Sequence, residues 1–180
     1  MTSPDVLLQR LDAIGQSLHD SGMALALLGL GSVGQELDRL DEYSDLDFFA
    51  IVKPGYKLEF IHNLDWLASV YPIVYSFQNT VDGYKALFAD GIFCEFAVFE
   101  PDELRRIPFA AGRFVWADPS FDTALAVPPV RTLKKQPVEW QLGEALTNLY
   151  IGLGRYRRGE KLSAARFIQG YAVDRIVELS

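Results

Sequence analysis

The sequence predicts an α/β (α+β) chain: a domain built on a mixed central β-sheet with flanking helices, followed by a short α-helical appendage. Three observations carry this expectation. Apolar runs at 23–30, 46–52 and 92–99 are bounded by glycine, proline or turn residues and have the length of buried strands. Apolar residues at helical spacing open the chain, and two further helical patterns close it. A stretch rich in proline and basic residues, 122–137, sets those last two patterns apart. The expected organisation is a main domain over 1–130 and a helical hairpin over 131–180. With 180 residues, 49% of them hydrophobic and 23% charged, the chain can bury one sizeable core and has the composition of a packed protein.

Taken in order, Ser3, Pro4 and Asp5 form a helix-start signal, and Leu7, Leu11, Ile14 and Leu18 recur on one face until Ser21 and Gly22 stop the pattern. MALALLGL, 23–30, is the first strand, with Gly31 and Ser32 at its carboxyl end. VGQELDRLDEYS is expected to be a short, polar, helical connection into a second buried strand, LDFFAIV, closed by Lys53, Pro54 and Gly55. Phe60, Ile61, Leu64, Leu67 and Ala68 share one helical face over 56–70, and Pro72 bars its continuation. PIVYSF reads as a strand. GYKALFAD and IFCEFAVF then flank Asp90-Gly91, a dipeptide suited to a two-residue hairpin turn with both central residues at positive φ. After Glu100 the pattern is irregular: PDELRRIPFAAGRFVWADPS is expected to hold a short helix, then a loop and an edge strand at FVWA. Leu142, Leu146, Leu149, Leu153 and Tyr156 define an amphipathic helix that Gly159 ends, and Ala165, Ile168, Ala172, Ile176 and Leu179 define another. That last pattern is still running at Leu179, so the pair reads as the start of a longer bundle.

A formal charge of −7 argues against general nucleic-acid binding, which needs a basic surface. An anionic ligand must then be held locally, by a metal, by backbone amides or by a few chosen cations. The single cysteine, Cys94, can form no intrachain disulfide and fits a reducing compartment. The amino terminus lacks the basic start and apolar stretch of a signal peptide, and no run has transmembrane length. A cytoplasmic location without membrane attachment is the expectation.

The residues that invite chemistry are Asp45 and Asp47, at the start of an otherwise apolar strand. Alternate residues of a strand share a face, so the two carboxylates would lie side by side. A divalent cation between them relieves their repulsion, and hard oxygen ligands suit Mg²⁺ or Mn²⁺. The bland alternative is a loop end whose aspartates cap backbone amides. Gly31 and Ser32 end the preceding strand, where a turn into a helix would present amides and a positive dipole end to phosphate; an ordinary strand-to-helix turn would look the same. Gly29, Gly31 and Gly34 also spell G-x-G-x-x-G, but a dinucleotide fold wants its acid at the end of the next strand, and here the acids begin it. Glu95 is the one carboxylate of IFCEFAVF, expected in a strand buried on both sides, so it must be neutral, on a metal, or paired with a cation such as Lys85. Arg155, Arg157, Arg158 and Lys161 form a basic helix end that could reach phosphates or simply be solvated.

Gly31-Ser32, then Ser44-Asp45-Leu46-Asp47-Phe48 on a strand, then an acid on a later apolar strand, together resemble the nucleotidyltransferase superfamily that includes DNA polymerase beta. Within it the chain is similar to the small bacterial antibiotic nucleotidyltransferases of the lincosamide and aminoglycoside type. The resemblance covers roughly 23–99 and is weaker in the helical tail. It implies a nucleotidyltransferase fold and transfer of a nucleoside monophosphate from a nucleoside triphosphate, with ATP the expected donor, to a hydroxyl of a small-molecule acceptor such as an antibiotic. It also implies that Gly31 and Ser32 meet the triphosphate, that Asp45 and Asp47 ligate Mg²⁺ or Mn²⁺, and that Glu95 is the third acid, a metal ligand or general base. The chain departs from the pattern in its long spacer after Ser32 and in having Val33 and Gly34 where an arginine is common. Only two helices stand where the family has several, which implies that another protomer, in a homodimer, or a further segment completes the acceptor site. The same residues also fit a fold of this type without activity, acting as a binding or regulatory module, or an enzyme that modifies a protein side chain.

Overall fold

The computed structural model describes residues 3–128 and 136–179, and the chain divides into two compact units, Met1–Val130 and Arg131–Ser180. The unit boundary and residues 129–135 of the proline-rich, basic stretch lie outside the described residues.

The first unit opens with helix α1 (Pro4–Asp20). Pro4 occupies the first turn, where its missing N–H has no intrahelical partner, and Ser3 holds the N-cap position in extended backbone without a side-chain cap bond. Leu7, Leu11, Ile14 and Leu18 are at most 1% exposed, as their spacing predicts. Each buried leucine stabilises the fold by about 1.5–3 kcal/mol relative to exposure.

Six strands form one sheet: β1 (Ala24–Gly29), β2 (Leu46–Val52), β3 (Ile73–Gln78), β4 (Gly83–Phe88), β5 (Phe93–Phe99) and β6 (Arg113–Ala117), in the order β3-β4-β5-β2-β1-β6. The pair β2–β5 is parallel and the rest are antiparallel, so the sheet is mixed, and with its helices the chain is α+β as expected. FVWA falls in β6, at an edge. β1 and β2 pair antiparallel, which rules out the helical crossover that a dinucleotide-binding G-x-G-x-x-G requires.

The register is set by a core ladder. Tyr84, Phe96 and Phe48 lie opposite one another on β4, β5 and β2. Phe96 stacks on Phe48 with ring centroids 5.3 Å apart and on Tyr84 at 6.0 Å, while Trp66 meets Phe96 edge-on at 5.3 Å. These rings join the α1 leucines in one core layer; the other face of the sheet carries a second layer, including Leu28, Ile51, Phe99, Leu104 and Phe121. Because strand side chains alternate, a slip of one residue would drive the ladder into the second layer, so the register is strongly specified.

Several elements depart from the sequence expectation. The connection 33–44 contains no α-helix; it holds the 3₁₀ turn Leu37–Arg39 and follows another, Gly31–Val33. The single helix expected over 56–70 is two, α2 (Lys57–His62) and α3 (Asp65–Ala68), because Asn63 turns extended and its side chain accepts from the Asp65 N–H. The β4–β5 hairpin is present with a longer turn: the Phe88 N–H reaches the Ile92 carbonyl and only Gly91, at φ +89, is left-handed.

The second unit contains α4 (Val138–Arg157), α5 (Lys161–Ala165), a π-helical stretch at Arg166–Ala172 and α6 (Val173–Val177). Its expected leucine face is not the buried one. Leu142, Leu146 and Leu153 are 44%, 61% and 53% exposed, whereas Gln141, Ala145, Gly152, Ala164 and Ala172 are buried. Small residues let the helices approach closely: a Cβ on Gly152 would lie 2.5 Å from Ile168 Cγ1. No helix among the described residues is long and apolar enough to cross a membrane.

Candidate active site

One residue along from the aromatic ladder, the same three strands carry Lys85, Glu95 and Asp47, again directly opposite one another. Alternation turns this row to the other face of the sheet. There its two acids border a cleft of about 610 Å³, whose lining includes Gly31, Asp47, Phe49, Asn79, Asp82, Glu95 and Phe99. Asp47 and Glu95 are thus placed together by the pairing that buries Phe48 against Phe96. Asp45, just before β2, is half-buried, and neither it nor Ser32 lines the cleft.

The two acids at the centre differ in their partners. Glu95 forms an ion pair with Lys85 at 2.9 Å and accepts a hydrogen bond from Asn79 at 2.8 Å. Its side chain is 43% exposed, so the expectation of a carboxylate buried on both sides is corrected: Cys94 and Phe96 point into the core and Glu95 points into the open cleft. Among the described residues, Asp45 and Asp47 form no side-chain hydrogen bond or ion pair. Amide capping in this stretch falls to Asp41, which accepts from the Tyr43 N–H and the Ser44 hydroxyl. Burial, and after it the charges of Asp45 and Glu95, push the Asp47 carboxyl up to about 6, against the opposing pull of Lys85.

The 29–34 segment explains its glycines by geometry. Gly31 sits at φ +53, and a Cβ there would lie 3.7 Å from Asp47 Oδ2, so the turn brings backbone beside the carboxylate. The Leu30 N–H donates to the Asp47 carbonyl, which fixes the turn to β2. The following structure is a three-residue 3₁₀ turn, so no helix dipole stands behind Gly31 and Ser32 as expected from the sequence.

As potential cation ligands, Asp45 and Asp47 are hard oxygen donors with no hydrogen bond or ion pair among the described residues, and the repulsion that raises Asp47 is what a divalent cation would relieve. Among the described residues no group of three or more acids, histidines or cysteines is gathered closely enough to hold a metal ion. Glu95 stands beside Asp47 with its oxygens engaged.

Sequence reasoning missed the cleft's far walls. Asn79, Thr80 and Asp82 come from the β3–β4 connection, Gly83 from the start of β4, and Ile107, Pro108 and Ala110 from the segment before β6. NTVDG carried a turn signature, but nothing local tied it to Glu95. Lys57 fastens that connection, reaching Asp82 and Glu103 at 2.6 Å each. The basic helix end of the second unit is paired locally: Arg155 and Arg158 both reach Glu160. Cys94 is buried, and burial pushes its thiol up to about 12, which makes it unreactive.

No protein-family model and no curated protein sequence matches the chain. Among solved structures it is similar to an aminoglycoside 6-adenyltransferase from Bacillus subtilis, with 14% identity and a TM-score of 0.42, over 99% of this chain and 66% of that one. The chain therefore spans less than two thirds of that structure's length.

Proposed function

We propose that the chain is a metal-dependent nucleotidyltransferase that moves a nucleoside monophosphate from a nucleoside triphosphate, ATP in this reading, to a hydroxyl of a small molecule. The observation that carries this is Asp47: a carboxylate without a hydrogen-bond partner among the described residues, beside Asp45 and Glu95, on the rim of a cleft that Gly31 also lines. Asp45 and Asp47 would hold Mg²⁺ or Mn²⁺, which supplies neutralisation of phosphate charge. The backbone at Gly31 and the hydroxyl of Ser32 position the triphosphate, and the cleft orients the acceptor so that its hydroxyl oxygen displaces pyrophosphate in line. Glu95, adjacent to Asp47, takes the acceptor proton or joins the ligand set once Lys85 and Asn79 release an oxygen.

The test is calorimetric titration with ATP in Mg²⁺ and in EDTA, for the wild type and Asp47→Asn. Nucleotide affinity that depends on Mg²⁺ and on Asp47 is expected. A second reading, an inactive binding module of similar fold, draws on the Lys85–Glu95 ion pair, which satisfies one acid with a built-in cation. It predicts equal affinity in Mg²⁺ and EDTA. Pyrophosphate release against pooled hydroxyl-bearing compounds then addresses the acceptor.

A further inference from the structure

Beyond the acids, the cleft is an apolar chamber. Phe49, Phe99, Ile107, Pro108 and Ala110 line it, and Phe49 is braced edge-to-face by Phe99 at 4.9 Å and by Phe109 at 5.7 Å. Three carboxylates face it, but two carry built-in cations: Asp82 is paired with Lys57 at 2.6 Å and Glu95 with Lys85 at 2.9 Å. Asp47 alone is left without a salt bridge among the described residues lining the cleft. Lys57 is shared between Asp82 and Glu103, so Asp82 and Glu95 are each engaged by a cation and the carboxylate left open to a ligand lies at the Asp47 end.

We propose that the acceptor is an uncharged, ring-bearing molecule whose body seats against Phe49, Phe99 and Ile107, with its hydroxyl turned to the Asp47 end, and that polycationic acceptors are excluded. This rests on the nucleotidyltransferase reading of the same site. A polycation needs several carboxylates free to pair with it, and this cleft offers one. Its other ammonium groups would be desolvated against aromatic and aliphatic walls, a cost that nothing in the lining repays. A flat apolar body gains instead from area removed from water and from ring faces that are already fixed in place.

The experiment uses the full chain in EDTA without nucleotide and follows the fluorescence of N-phenyl-1-naphthylamine, a neutral two-ring probe. Ala110 is exposed on the cleft wall, so Ala110→Arg fills the chamber without disturbing the core; Gln16→Arg, on the exposed face of α1, is the control for added charge. Loss of a seat that excludes charge should weaken the probe about tenfold or more in Ala110→Arg and leave Gln16→Arg unchanged. 2-Naphthol should displace the probe, and spermine and adenosine should not. Displacement by spermine would overturn the charge argument, displacement by adenosine would assign the chamber to the nucleobase, and equal binding by wild type and Ala110→Arg would place the probe elsewhere. The outcome is separable from that of the enzymatic reading. Probe binding without Mg²⁺-dependent ATP affinity leaves the ligand class standing and removes the transferase; the reverse removes the ligand class alone.

Discussion

The two faces of the central sheet are one residue out of step and opposite in character. On one, Tyr84, Phe96 and Phe48 form a stacked row with Phe48 and Phe96 at 1% and 2% exposure; on the other, Lys85, Glu95 and Asp47 form a row whose two acids line a cleft. The closed row supplies the energy that fixes register, and the open row inherits its geometry. Asp47 and Glu95 therefore meet without any attraction between them; their mutual repulsion is overcome by packing on the far side of the same backbone.

Breaking the closed row should have the largest effect. Phe96→Ala removes a ring that touches Phe48, Tyr84 and Trp66, and a cost of about 3–5 kcal/mol in chemical denaturation is expected. Phe96→Leu keeps most of the volume and should cost about 1.5 kcal/mol. It should also weaken Mg²⁺-dependent nucleotide binding, although Phe96 faces away from Asp47. Unchanged nucleotide affinity in a measurably destabilised Phe96→Leu protein would mean that the acids do not depend on the ladder.

Next in size is the open row itself. Asp47→Asn should lower turnover by about 100-fold or more, the scale of losing a preorganised electrostatic group at a reacting centre. Its fold should survive, since no hydrogen bond or ion pair of the Asp47 side chain occurs among the described residues. Wild-type turnover in this variant would end the proposed chemistry.

What the sequence conveyed follows the same division. LDFFAIV is bounded correctly at Leu46–Val52, and the β4–β5 hairpin is where Asp90-Gly91 places it, because apolar alternation and turn residues report directly on strands and turns. The side-by-side placement of Asp47 and Glu95 was legible only as two acids on two strands. That they are direct neighbours depends on the parallel β2–β5 pairing, which joins residues 48 apart and has no local signature. Glu95 was misread as buried because every neighbour in IFCEFAVF is apolar; the strand alternates, but a half-open aromatic and aliphatic chamber lies above its Glu95 face. In the second unit, leucine periodicity marked a face that is exposed, while alanine and glycine, weak in any hydrophobicity pattern, form the close contact.

A smaller effect is expected at Glu95. The Lys85–Glu95 side chains are 36% and 43% exposed, so Glu95→Gln should cost only about 0–1 kcal/mol of stability rather than the several expected of a buried pair. Turnover should still fall about tenfold, as for groups that orient a metal ligand. A melting temperature that drops steeply would show Glu95 to be chiefly structural.

The smallest effect sharpens the contrast between paired and unpaired acids through pH. The Asp47 carboxyl is raised from 3.8 to about 6 in the folded protein, by burial first and by Asp45 and Glu95 after it. The folded state therefore binds more protons than the unfolded state between these values, and stability falls as pH rises across that window. Below it, Asp47 is protonated in both states and contributes no penalty; above it, the penalty is complete. The full shift converts to about 3 kcal/mol, but Asp47 is half open to water, and solvent screening reduces this to about 1 kcal/mol. Asp47→Asn cannot ionise, so in EDTA it should match the wild type near pH 4 and exceed it by about 1 kcal/mol above pH 6. Excess Mg²⁺ with ATP should reverse the order, because only the wild type keeps both carboxylates to bind them. Urea denaturation at pH 4, 5, 6 and 7 measures the gap directly. A gap of the same size at pH 4 as at pH 7 would mean that the gain comes from the amide's own contacts and not from relief of charge.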